Sequence, residues 1–522
     1  MNIHTSIYEF MRDFHKKDDH KAAVVFGNRK MRWKALFFEI ERVAAGFYAM
    51  GVRKGDVVAI ALPNIPQAVV AVYALARIGA IASMIHPKFA AAQFEKAINQ
   101  QKPKVVLLSE INLQTFGRVC LGVKGIKVVY CPIYLYAYLG LAHGHGYERF
   151  EGDGEEAMFY MHSGGTSGEP KTIVLSSRAA NAMAGNLLLT LGDRFTDEDS
   201  MLVALPMFHG FGLCVGVHAA ACTNMTLVLF PKFDTKKAVK CIAKNHITTI
   251  IAVPRMVKKL LDEEEFAGET ISSIKDVFVG GDTVGPELVN RFENRMAESG
   301  GKATLCPGYG LTETGSVCAV SYDGYVEGSL GKPLKDVEIR LVDGELKEVP
   351  LGNAGELIVS SPQAMTGYLG DESLTAATLV DLDGKKWIRT GDVFRTDKDN
   401  HLFFLGRKKR LIKICGMNVF PAEIERVAQK LGFFKECVAI ESKQDGKTMI
   451  KLLVDTDLSK EQQDEIKEYI RVKLSHWSIP RAFEKIKEFP HTAIGKIDVL
   501  KLQRAENDRL LKDVKQNKDL DK

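Results

Sequence analysis

Apolar residues in the first third of the chain fall into two alternating patterns. Short unbroken apolar runs at Asp56 to Leu62, Ile81 to Ile85 and Val105 to Leu108 have the length and β-branched content of buried strands. Between them, Pro66 to Arg77 reads as an apolar helix opened by proline and stopped near Gly79, and Ala90 to Asn99 reads as a second helix. This rhythm predicts a parallel sheet covered by helices. Further on, Val277-Phe-Val is a strand ending in Gly280 and Gly281, followed by a helix from Pro286 to Met296. From Gly331 to Val393 the pattern shortens to turn-separated segments such as Val337 to Leu341 and Gly355 to Val359, which predict a β subdomain. The remainder, to about Asp498, has strand and helix patterns enough for a small α/β domain. Beyond Leu500 the chain is charge-dense and predicts a frayed helix.

Three long stretches carry no Asp, Glu, Lys or Arg: Val57 to Ala76, Val128 to Tyr147 and Met201 to Pro231. Proline, asparagine, glycine or histidine interrupts each, so buried core fits better than membrane spans. The second stretch, with Tyr130, Tyr134, Tyr136 and Tyr138, is the least typical. It fits core or interface packing, and also contact with a membrane surface or a greasy ligand. His143 and His145 invite a metal, but no acidic or cysteine partner stands beside them.

Composition narrows the class. At 522 residues and 46% hydrophobic content the chain can bury a large core in more than one domain. A net charge of +5 over that length is too weak to argue for nucleic acid. Nine cysteines, scattered singly without C-x-x-C, fit reduced thiols in a cytoplasm, and Met1 to Lys21 lacks the apolar core of a signal peptide.

The chemistry concentrates first at Tyr160 to Thr172. Gly164, Gly165 and Gly168 let backbone approach a ligand closely, while Ser163, Thr166, Ser167 and Lys171 supply hydroxyl donors and a cation, a set suited to phosphate. Composition alone also fits a flexible Gly/Ser loop. A Walker A loop is excluded, because Pro170 precedes the lysine and removes an N–H that such a loop uses. Gly210-x-Gly212-x-x-x-Gly216 is one residue off a dinucleotide fingerprint and lacks its strand-turn-helix setting.

The phosphate-loop segment resembles that of the adenylate-forming superfamily, which includes acyl-CoA synthetases, luciferase and peptide-synthetase adenylation domains. His162 stands for the usual threonine and Thr172 for the usual glycine. Further motifs follow in the family's order: Asn64-Ile-Pro-Gln, Ile85-His86-Pro87, Pro206-Met-Phe208-His209, Gly308-Tyr309-Gly310-Leu-Thr312-Glu313-Thr314, Thr390-Gly391-Asp392, Gly406 to Glu425, and Pro490 to Ile497. Ordered matches from about residue 56 to residue 498 are far more specific than any one of them.

The resemblance implies an α/β fold: a large N-terminal domain of doubly wound sheets plus a β subdomain (1–406), and a small mobile α/β C-terminal domain (407–522) hinged at Lys409. It implies ATP, Mg²⁺ and CoA as partners of a carboxylic acid. By the same resemblance Ser163, Gly164, Gly165, Thr166, Ser167, Gly168 and Lys171 hold the pyrophosphate side. Gly281, Asp282, Tyr309 and Gly310 belong to the ATP site, with Tyr309 stacked on the adenine and the Gly281 backbone against adenine or acyl chain, Asp392 takes the ribose, and Arg407 takes ribose or phosphate. Thr312, Lys496 and Mg²⁺ on Glu313 meet the charge at the α-phosphate. Phe208, His209, Gly281 and Gly308 border the acyl group, and Gly416 lets pantetheine pass. Arg410 departs from a frequent aspartate, which puts in doubt any salt bridge that aspartate makes.

Amino-acid activators carry an aspartate near Phe208 and His209 to pair with the substrate ammonium. The two residues here suit a hydrophobic acid without an α-amine, whether fatty, aryl or steroidal. Gly212, Gly216, Ala219 and Ala220 either widen the pocket or permit close helix packing. The expected activity is an AMP-forming acyl-CoA synthetase. A ligase loading a carrier-protein phosphopantetheine shares every motif up to the thiol acceptor. A binding protein with a dead nucleotide site is disfavoured by Glu313, Asp392 and Lys496. A homodimer is left open.

Overall fold

The structure is a computed structural model, and it describes residues 1–15, 21–162, 171–282, 284–415, 417–444, 447–491 and 497–520. Its architecture is α/β and is dominated by two large sheets. In the seven-stranded sheet, Ala157–His162, Ile81–Met84, Val57–Ile60, Val105–Leu108 and Lys127–Tyr130 run parallel, and Thr172–Ser176 and Gly367–Tyr368 add on antiparallel. The nine-stranded sheet has a parallel centre from Thr304–Tyr309 through Asp276–Val279, Thr249–Ala252, Ser200–Val203 and Thr226–Leu229 to Ala22–Phe26. Four-residue strands buried on both faces, such as Val57–Ile60 and Thr249–Ala252, explain the unbroken apolar runs.

The helices between the sheets are apolar all round, because they have no wet face. Every residue of Pro66–Arg77 is buried. Ser177–Leu191 packs on the strand Ala157–His162 and on its neighbour Thr172–Ser176. On its other side it meets the helix Phe211–Ala219, which packs on Ser200–Val203 and Thr249–Ala252. Phe211–Ala219 is a π-helix, wider than an α-helix, and close packing shapes it. A Cβ on Gly212 would lie 2.2 Å from Pro206 O, and one on Gly216 would lie 2.5 Å from Ile251 Cδ1. Ala219 and Ala220 are fully buried in the same core. Close packing thus accounts for Gly216, Ala219 and Ala220, whereas Gly212 also lines the cavity described below. The glycines that resembled a dinucleotide fingerprint lie in and just before this helix.

The tyrosine-rich stretch divides. Tyr138 is buried and donates to Gln67 O at 2.8 Å, and Tyr136 donates to Glu39 at 3.0 Å, whereas Tyr134 stays 78% exposed. An antiparallel five-stranded sheet, Glu338–Val342, Gly355–Ser360, Lys385–Thr396, Leu379–Leu382 and Leu402–Arg407, forms the β unit. All nine cysteines are unbridged. No described helix is long and apolar enough to cross a membrane.

The main hydrophobic core runs to Leu402, and a separate one begins at Ile412. The second surrounds a three-stranded sheet, Cys437–Gln444, Lys447–Val454 and Ala482–Lys485, flanked by the helices Pro421–Gln429 and Lys460–Lys473. The last helix, Val499–Leu520, corrects the sequence reading at its start. Leu502 and Glu506 are buried, and Glu506 accepts from Ser442 at 2.5 Å and Lys451 at 2.9 Å. The first turns of the helix are thus docked. A charge-dense pattern conceals this, because the buried charge is paired.

Candidate active site

Asn64 illustrates how this site is built from buried polar groups. It is 3% exposed, donates to Val203 O (3.0 Å) and Leu205 O (2.8 Å), and accepts from the Met207 N–H (2.9 Å). One side chain thereby satisfies three backbone groups of the irregular segment before Phe208 and His209 and fixes its path. The Phe208 ring then lies 4.3 Å from that of His86. His86 Nδ1 accepts from the Lys88 N–H at 2.9 Å, and burial followed by the Lys88 charge lowers the His86 pKa.

The strand Thr304–Tyr309 delivers the next group. Gly310 has no room for a side chain, since a Cβ there would meet Ser316 O at 1.6 Å. A single 3₁₀ turn, Thr312–Thr314, follows. Gln363, fully buried, braces it by donating to Thr314 O (2.8 Å) and Val317 O (2.6 Å). Glu313 projects from this turn, and Tyr368 Oη donates to its Oε1 at 2.9 Å. Lys171 Nζ sits 5.2 Å from the centroid of the same tyrosine ring, so Lys171, Tyr368 and Glu313 form one group. Tyr368 and Gln363 escaped the sequence reading. The only signal was Tyr368's place in Thr-Gly-Tyr-Leu-Gly, a short turn-like run.

Asp392 is fully buried on Lys385–Thr396. Tyr309 Oη donates to its Oδ2 at 2.7 Å, and Arg407 Nε, directly across the strand pair, lies 2.8 Å from Oδ1. Burial, then the Asp392 charge, drives the Tyr309 pKa far up, so the phenol remains a donor. Arg407 is half-exposed and lies over the carboxylate. Glu356, also buried, is held by Arg389 at 2.7 Å and Lys408 at 2.6 Å. Burial raises its pKa, but the two cations outweigh this and leave it lowered. Arg410 pairs with Glu425 at 2.6 Å, so this position keeps an ion pair of its own.

These groups meet around one cavity of about 2530 Å³. Lys171, Phe208, His209, Gly281, Asp282, Gly308, Tyr309, Gly310, Thr312, Glu313, Asp392, Arg407 and Lys409 all line it. Ser163, Gly164, Gly165, Thr166, Ser167, Gly168, Gly416 and Lys496 lie outside the described residues. His491 and Ile497, on either side of the segment carrying Lys496, line the cavity. Cys415 and Met417, on either side of Gly416, do not. The lining has two characters. Phe278, Val215 and Cys306 are buried and uncharged, and burial pushes the Cys306 thiol up to about 11. The buried charges Glu356 and Asp392 are both ion-paired and both belong to the β unit.

The arrangement can hold a polyanion beside an apolar group. Lys171 and Arg407 offer cations, and Asp392 is an acceptor-only carboxylate of the kind that takes hydroxyl donors. Glu313 has one oxygen engaged by Tyr368. The other is a hard anionic ligand of the kind Mg²⁺ takes with substrate phosphates, so the residues present fit that ion.

Comparison with known proteins agrees. The profile of the family described as AMP-binding enzyme matches residues 11–369. The chain is 26% identical over 496 residues to a 4-coumarate-CoA ligase of Narcissus pseudonarcissus, covering 90% of this chain and 88% of the relative. It is 26% identical over 518 residues to a long-chain-fatty-acid–CoA ligase of Bacillus subtilis (strain 168), covering 91% and 90%. Among solved structures, O-succinylbenzoate Coenzyme A synthetase from Bacillus subtilis, in complex with ATP and magnesium ion, superposes with a TM-score of 0.80. That match has 24% identity and covers 95% of this chain and 99% of the other.

Proposed function

The chain belongs to the AMP-binding enzyme family, and from that premise we propose that it is an AMP-forming acyl-CoA synthetase acting on a hydrophobic carboxylic acid with ATP, Mg²⁺ and CoA. In the first half-reaction a carboxylate oxygen attacks the α-phosphorus of ATP, giving acyl adenylate as the bond to pyrophosphate breaks. In the second, the CoA thiolate attacks the acyl carbonyl, the thioester forms, and AMP leaves with the electron pair of the broken acyl–oxygen bond. No covalent enzyme intermediate is required.

The observation that carries the reading is that Asp392, Glu313, Lys171 and the apolar Phe278–Cys306 wall share one cavity. A nucleotide and an apolar acid must lie side by side for the first step, and effective molarity from such placement is a large part of the rate. In this assignment Asp392 takes the ribose hydroxyls, which requires Arg407 to move from over its carboxylate. Glu313 would hold Mg²⁺, which supplies charge neutralisation at the phosphates. Lys171, with Ser163, Thr166 and Ser167, holds the pyrophosphate side, and Thr312 and Lys496 meet the α-phosphate. Tyr309 flanks the adenine.

The domain division at 406/407 is part of the same proposal, and the change of core between Leu402 and Ile412 supports it. The cavity-facing position of His491 and Ile497 supports reading this arrangement as the one for adenylate formation. Relatives named for ligating aryl and fatty acids to CoA, and a wall in which Phe278, Val215 and Cys306 are buried and uncharged, support an acid of either kind. A panel of fatty, aryl and steroidal acids in a pyrophosphate-release assay tests the proposal. At least one acid is expected to turn over faster than every standard amino acid. The opposite ranking refutes the substrate class.

A further inference from the structure

The strands on either side of residues 163–170 end opposite each other, with His162 paired to Thr172. These are the two positions at which the segment departs from the usual residues, and a third side chain joins them. Gln101, 5% exposed at the end of the helix Ala91–Gln101, directs its Nε2 to His162 Nε2 at 3.3 Å and to Thr172 Oγ1 at 3.4 Å. Its Oε1 accepts from Ser83 Oγ at 2.5 Å. Since that oxygen is committed to Ser83, the amide presents N–H to the imidazole, and His162 Nε2 must be the acceptor. The ring is therefore neutral with its proton on Nδ1. Burial agrees, lowering the His162 pKa to about 4.

The neighbouring Gln100 continues the network outward. It accepts from Thr172 Oγ1 at 3.1 Å and donates to Leu369 O at 2.9 Å, and the Leu369 N–H donates to Thr172 O at 2.9 Å. Thr172 and Leu369 are the residues next to Lys171 and Tyr368, which pack on one another and reach Glu313. None of Gln100, Gln101, His162 and Thr172 lines the cavity. They act through the groups they hold.

We propose that Gln101 is a positioning residue which, by clasping His162 and Thr172, sets Lys171 and the Tyr368–Glu313 pair for the β- and γ-phosphates of ATP. This rests on the functional reading above. A helix end anchored by two buried side-chain bonds fixes the strand mouth in place, and loss of those bonds lets Lys171 shift relative to Tyr368. The effect must be specific to the outer phosphates, because Asp392 and Tyr309 stand on other strands.

The test compares ATP with AMP, which lacks those phosphates, by calorimetry on the full chain. Gln101→Met keeps volume and removes both bonds of the clasp together with the bond from Ser83, and the near-isosteric second variant, Thr172→Val, leaves the Ser83 bond in place. Each is expected to weaken MgATP binding roughly tenfold while leaving AMP within about twofold. The double variant should be little worse than the poorer single, as members of one network are. Equal losses for ATP and AMP, or no change in ATP affinity in either folded variant, would overturn the clasp and leave the functional reading intact. Wild-type protein that binds neither nucleotide overturns the functional reading and the clasp with it.

Discussion

Asp392→Asn separates the ribose role of this carboxylate from its role in folding. The substitution keeps the shape of the side chain and leaves an amide oxygen to accept from Tyr309, whose hydroxyl now lies 2.7 Å from Oδ2. What it removes is charge, felt in two places. The contact with half-exposed Arg407 contributes at most about 1 kcal/mol to stability, because water screens it. Two ribose hydroxyls lose an ionised acceptor, and each bond falls from the charge-assisted range to the neutral one, a loss of about 1 to 1.5 kcal/mol apiece. Together that is about 2 to 3 kcal/mol, or roughly 30- to 150-fold in ATP affinity. Asp392→Ala should lose similar affinity and, in addition, about 1 to 3 kcal/mol of stability, since the Tyr309 hydroxyl is buried with no acceptor. Calorimetric titration of ATP and AMP, paired with urea unfolding, measures both quantities. ATP affinity within twofold of wild type in folded Asp392→Asn would refute the ribose assignment.

Tyr368→Phe keeps the ring beside Lys171 but removes the donor to Glu313. It should slow adenylate formation about tenfold while sparing thioester formation from supplied acyl adenylate, and equal losses in both steps would contradict this. Lys496→Ala should slow adenylation on the order of 10²-fold and leave transfer to CoA from supplied adenylate nearly intact. Lys409→Pro should do the reverse, because proline fixes φ at the pivot, and variants that lose both steps equally while folded would refute domain alternation. Burial lowers the pKa of His162 to about 4 and of His218 to about 3. Both bind protons in the unfolded chain below its pKa near 6.5 while the folded state stays neutral, so stability is lost as pH falls from about 6.5 toward 4. Urea midpoints at pH 7.5 and pH 5 should show that loss, and His218→Gln should show less of it. An equal decrement in the variant would be the contrary result.

The legible parts of the fold are those whose burial is uniform. Pro66–Arg77 and Val105–Leu108 were bounded correctly from apolar runs alone, because each is buried on every side. The same uniformity hid the π-helix at Phe211–Ala219, since an all-apolar segment carries no period from which to read its hydrogen-bond spacing. Ala22–Phe26 was missed for another reason. Of its two partners, Thr226–Leu229 is some two hundred residues away and no local pattern encodes that pairing, whereas the hairpin with Arg29–Arg32 across Gly27 and Asn28 was a local signal left unread. Of the residues that the ordered motifs put forward for the site, those such as Lys171, His209, Tyr309, Glu313 and Asp392 line one cavity. Gln101, Gln363 and Tyr368 could not be named in advance, because single polar residues gain their meaning only from backbone groups or side chains brought beside them by folding. Arg407 was expected at the ribose or phosphate, and it lies over Asp392, a contact that the motif does not disclose.

The central claim is that one cavity joins an acid to AMP and then passes it to CoA. A single-turnover experiment with enzyme in excess over acid, quenched and resolved by mass spectrometry, tests it most directly. Without CoA, the account predicts acyl adenylate and pyrophosphate in equal amounts, both dependent on acid and Mg²⁺. Added CoA should then convert the adenylate to acyl-CoA and AMP one for one. Release of ADP and phosphate, an acyl group covalently attached to the protein, or an adenylate that reacts with a holo-carrier protein but not with CoA would contradict it.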